Sequence, residues 1–140
     1  MATYNKFQDA AEQILRGKHD FGSHVFKVAL SNTAPNAATH TQLSDITQIA
    51  AGNGYVTGGF TLDTVVLSEA GGTAKVTIAD EVILASGGAM AAFRYAVIYN
   101  DTSTGDLLLG YYDYGSSVTL NDTEDLTIDF DAAAGVLTLA

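Results

Sequence analysis

The chain has no cysteine, no tryptophan and one proline, and it carries six basic residues against sixteen acidic ones. Each shortage narrows the field. Without cysteine there are neither disulfides nor thiolate metal sites. A formal charge of −10 opposes approach to nucleic-acid phosphates and to anionic lipid, so neither a nucleic acid nor a membrane is expected as partner. No apolar run approaches the roughly 18 residues that a bilayer-crossing helix needs. The opening MATYNKFQDAAEQILRG lacks a basic region followed by an apolar run. A secretory signal is therefore not expected there.

What is present reads as one domain of 140 residues, a size that buries a core without staples. The stretch FRYAVIYNDTSTGDLLLGYYDYG, residues 93–115, organises it. Two apolar, aromatic runs (93–99 and 107–114) flank a polar segment rich in turn residues. That pattern predicts a β-hairpin with a connection longer than two residues. Both arms are apolar at nearly every position, so both faces should be covered, as in central strands. Simple alternation puts Tyr95, Val97, Tyr99, Leu107, Leu109 and Tyr111 on one side.

Residues 4–16 read as the one helix. Tyr4, Phe7, Ala11, Ile14 and Leu15 recur at helical spacing, Thr3 is the expected N-cap and Gly17 the stop. This stripe is the candidate interface, on a terminal helix (residues 1–17) beside a β-rich body (24–140); it reads either as an arm that docks on a neighbouring subunit or as a cap that packs on its own domain. From residue 24 onward short strand signals alternate with turns, over 24–30, 60–68, 74–78, 82–85, 118–120, 126–130 and 136–139. A helical turn fits within 41–50. The fold class expected is mainly β, an antiparallel sandwich or barrel-like body with one N-terminal α-helix.

Chemistry-bearing patterns are scarce. The glycine-rich stretch 51–59 has no Gly-Lys-Ser/Thr, so it reads as a loop with unusual backbone angles or close backbone contacts. His19, His24 and His40 lack the i, i+4 spacing of a zinc-protease helix. No Gly-x-Ser-x-Gly elbow occurs. The acids Asp122, Glu124, Asp125, Asp129 and Asp131 lack the order of a calcium loop. Asp129 and Asp131 flank Phe130 and should share a face. No catalytic, cofactor-binding or metal-binding residues are assigned, and the chain is expected not to be an enzyme.

Four segments resemble small structural proteins of tailed bacteriophages: YNKFQD at 4–9, FKVALSNTAP at 26–35, AAGNGY at 50–55 and FRYAV at 93–97, with the closing Asp129-Phe130-Asp131. The resemblance runs in order along essentially the whole chain. It implies a virion protein made in the bacterial host cytoplasm, with copies of itself and the phage major capsid protein or other virion proteins as partners. The expected role is a decoration or cement protein on the head exterior, working as a symmetric homo-oligomer with a trimer as the expected form. The alternatives are a tail tube, fibre or adaptor protein, or a host-glycan-binding module using Tyr111, Tyr112 and Tyr114.

Overall fold

The computed structural model describes residues 2–140 and is mainly β, with antiparallel sheets packed together and one α-helix. The chain begins with strand β1 (Thr3–Lys6) and helix α1 (Gln8–Leu15). Strands β2 (Phe26–Ser31), β3 (Phe60–Thr61), β4 (Val66–Ala70), β5 (Thr73–Thr77) and β6 (Glu81–Leu84) follow. The hairpin strands are β7 (Phe93–Asn100) and β8 (Leu107–Val118), followed by β9 (Asp125–Ile128) and β10 (Leu137–Leu139). One turn of 3-10 helix lies at Leu43–Asp45.

A five-stranded sheet in the order β1-β8-β7-β2-β3 forms the centre. Its middle strand β7 is buried at every residue except Phe93's neighbour Arg94. The hairpin arms are therefore interior strands, as their unbroken apolarity predicts. Against one face pack two small sheets, β10-β5-β4 and β6-β9. They join Val28, Leu30, Ala96 and Ile98 to Val76, Ile78, Ile83 and Ile128 in one core. The other face carries Ala29, Tyr95, Val97, Tyr99 and Leu108, covered by Phe7 and Ile46.

The hairpin register shifts twice, between Phe93 and Tyr95 and between Ile98 and Tyr99, and the second shift changes the side assignment. Ile98 pairs with Gly110 but Tyr99 pairs with Leu108, so Leu109 is the extra residue of a β-bulge. A bulge reverses the alternation beyond it. Leu108 thus joins Tyr95, Val97 and Tyr99, while Leu109 turns to the opposite core. Leu107, expected on that side, is only half-buried at the strand's start.

The helix from Tyr4 is corrected. Residues 3–6 pair with β8, Tyr4 opposite Tyr112 and Lys6 opposite Gly110. Tyr4 alternates with Asn5 and packs its ring 5.1 Å from that of Tyr112. Gly110 makes room for it, since a Cβ there would overlap the Tyr4 hydroxyl. A vacant sheet edge beside Tyr4 offsets any helical preference, which is weak over so few residues. The N-cap is Phe7, in extended conformation and without a side-chain cap, not Thr3. The stop is as expected: Gly17 has φ +74°, and the N–H groups of Gly17 and Lys18 donate to Ile14 and Gln13. This is the Schellman arrangement that glycine favours.

The predicted strand at 60–68 is two strands, broken around Thr64, whose φ is +51°. The glycine-rich loop meets both expectations. Gly52, Gly54, Gly58 and Gly59 all have positive φ, and a Cβ on Gly59 would drive into the Val28 carbonyl.

Candidate functional site

Three features draw polar or exposed apolar groups together. The first is a groove between α1 and the three-stranded sheet. In that sheet Leu67 lies opposite Val76 and Val76 opposite Leu137, while Ala74 lies opposite Leu139. These residues share one face, by the two-residue period of strands. The face extends past the closed core and opens a groove of about 400 Å³, with Ile14, Gly17 and His19 on its other wall. Ala11, Ile14 and Leu15 continue it along the helix toward Leu139. Leu15 is 82% exposed, Leu67 51% and Leu139 60%.

The candidate interface residues therefore divide. Phe7 is fully buried within the chain, and Tyr4 and Ile14 pack partly against its core. The fully covered alanine of the helix is Ala10, not Ala11. Ala11 and Leu15 face outward. Tyr4 leaves the stripe because residues 3–6 are strand, while Ala11, Ile14 and Leu15 keep their helical spacing within α1. β4 borders the groove as an edge strand and is exposed at all five residues.

The second feature is a cleft of about 650 Å³ between the β1–β8 edge and the chain after β9. Tyr4, Tyr112, Tyr114, Thr127, Asp129 and Asp131 line it. Asp129 and Asp131 do share a side, although both lie beyond β9. Asp131 also accepts the N–H groups of Ala133 and Ala134, closing a turn. Burial, then the neighbouring Tyr114, Asp129, Asp131 and Asp80, pushes the Tyr112 hydroxyl up to about 12. Burial and Asp129 raise that of Tyr114, and burial and Tyr112 that of Tyr4. Of the three tyrosines considered for glycan contact, Tyr112 and Tyr114 sit here, whereas Tyr111 points to the opposite face against Phe7.

The third feature was invisible to motif reading. Asn100, fully buried at the end of β7, accepts the N–H groups of Thr102 and Ser103 on its Oδ1. Its Nδ2 lies 3.0 Å from His19 Nδ1, 2.9 Å from His24 Nδ1 and 3.3 Å from the Lys18 carbonyl. One amide thus ties the loop after α1 to the hairpin turn, across a sequence separation that no local pattern reveals. With Nδ1 accepting, neutral His19 carries its proton on Nε2, which is buried without a partner. Burial first, then His24, lowers His19 from 6.5 to about 4, with Asp9 opposing.

That shift carries a pH dependence. Between about 6.5 and 4 the unfolded chain takes up a proton at His19 and the folded chain does not. Stability from this group is therefore present above that window and lost as pH falls through it, by about 1–2 kcal/mol once solvent screening is allowed for. Burial raises Glu81 and Asp106, which act in the opposite direction. The difference in urea unfolding between the parent and His19→Phe cancels those terms. It should change across pH 7 to 4.5, and a pH-independent difference would contradict the assignment.

Among the described residues no three His, Asp or Glu side chains gather as they would to hold a metal ion. The acids of residues 122–131 are dispersed: Asp122 accepts the Gly87 N–H and Glu124 the Asn121 N–H, while Asp129 faces the cleft. No helix among the described residues is long and apolar enough to cross a membrane. Against known proteins, no family model, curated protein or solved structure matches the chain.

Proposed function

We propose that this is a non-enzymatic structural protein of a tailed-bacteriophage virion, a decoration or cement protein that binds the head exterior as a homo-oligomer. The observation that carries the reading is the unfilled groove. Leu15, Leu67 and Leu139 are 82%, 51% and 60% exposed along it, and the largest apolar patch of a soluble chain is often functional. A decoration unit needs a stiff body and an adhesive face. The sandwich is the body, and the groove with edge strand β4 is the face. The acidic remainder of the surface suits the outside of a DNA-filled particle.

The test uses the double variant Leu15→Asp, Leu139→Asp. Both positions are exposed, so the fold should hold with a melting temperature close to the parent's. Light scattering should show the parent as an oligomer and the variant as a monomer, with binding to particles lost. A parent that is monomeric and decorates nothing overturns the reading. A few copies per virion at a single vertex would favour the tail alternative.

A further inference from the structure

We infer that the cleft between Tyr4, Tyr112, Tyr114, Asp129 and Asp131 binds an organic cation, an alkylammonium or guanidinium group, through its phenol and carboxylate oxygens. The cleft's volume of about 650 Å³ falls within the range of small-ligand sites. Its lining is one-sided in charge, with two carboxylates and no basic side chain.

The tyrosines supply the second observation. Tyr112 is 8% exposed, its ring held between Tyr4 at 5.1 Å and Phe130 at 5.7 Å. Two of the other buried tyrosines use their hydroxyls, Tyr55 donating to Gln48 and Tyr99 to the Gly58 carbonyl, whereas Tyr95 does not. Those of Tyr112, Tyr4 and Tyr114 make no hydrogen bond among the described residues, and the one fully enclosed unpartnered polar atom is His19 Nε2. The Tyr112 hydroxyl therefore opens into the cleft with its hydrogen-bonding capacity unspent. A phenol oxygen on the cleft wall can accept from a donor on an occupant.

Charge selects the occupant. An anion would meet Asp129 and Asp131. A neutral polyol would use the same oxygens but leave their charge unmatched. An ammonium or guanidinium donates to phenol and carboxylate oxygens, neutralises the carboxylates and stacks on ring faces. Asp131 is partly committed to its turn, which leaves Asp129 as the main counter-charge. The cation can be free or the side chain of a lysine or arginine on a partner protein. The assignment is independent of a virion role.

The experiment follows the intrinsic tyrosine fluorescence of the full chain, which has no tryptophan to mask it. Arginine methyl ester, spermidine and a short peptide with one central arginine are titrated in, with methyl glucoside as the neutral control. The cations should bind, more weakly as salt rises. Asp129→Asn should weaken them about tenfold, a typical loss for a charge-assisted contact. Tyr112→Phe should weaken them less and keep the ring. Both variants should melt with the parent, since Asp129 is exposed and Tyr112→Phe keeps the ring packing against Tyr4 and Phe130. Tighter binding of the peptide than of the free ester identifies a protein side chain as the source, and the reverse a free cation. Binding of methyl glucoside as tightly as of the cations, indifference to Asp129→Asn, or no binding of any cation overturns the inference.

Discussion

Replacing Val97 by aspartate is expected to unfold the protein. Val97 has no exposed surface and sits on the middle strand of the central sheet. It is paired to Ala29 on one side and Tyr111 on the other. Its side chain joins Phe7, Tyr95 and Tyr99 in an apolar cluster. An unpaired buried carboxylate costs several kcal/mol, against a total stability of about 5–15 kcal/mol for a domain. Circular dichroism should show loss of the cooperative melt. Val82→Asp is the contrast: Val82 is 54% exposed on β6, and that change should stay within about 0.5 kcal/mol. A Val97→Asp protein with the parent's melting temperature would refute burial of both faces of β7.

Removing residues 1–17 should also abolish the fold, although reading the segment as an arm predicts a stable body without it. The segment contributes edge strand β1, and Phe7 and Gln8 donate their N–H groups to Leu109 and Ala37. Phe7 closes one core and Ala10 lies in the other, with Tyr4 and Ile14 packed against it. Losing that burial costs about 4–9 kcal/mol at roughly 1.5–3 for each of the three large side chains, comparable to the whole stability. Truncated protein should show no cooperative urea transition. A truncated chain that melts cooperatively near the parent's midpoint would restore the arm. The exposed Leu15 separates the two roles, since Leu15→Asp removes a candidate contact without touching either core.

The sequence alone determined the class of fold and its centre. Phe93–Tyr99 and Leu107–Tyr114 are apolar in nearly every position, and near-continuous apolarity in a short run demands cover on both faces. The net charge of −10 is likewise legible, because charge sums over residues regardless of where they fold. Gly17 ended the helix because its left-handed backbone is a local property.

Tertiary structure decided the rest. Whether residues 3–6 become strand or helix depends on the open edge of β8, more than a hundred residues away, and so escapes a local periodicity argument. The same holds for Leu108 and Leu109, whose sides are set by one bulge in a cross-strand register. Ala11 and Leu15 were legible as apolar, but not as exposed, because exposure depends on how far the sheet of β10, β5 and β4 reaches past the core. Asn100 with His19 and His24, and the tyrosines with Asp129, are brought together only by chain crossing. Such sites need relative positions of distant strands, which hydrogen-bond register fixes and residue order by itself does not.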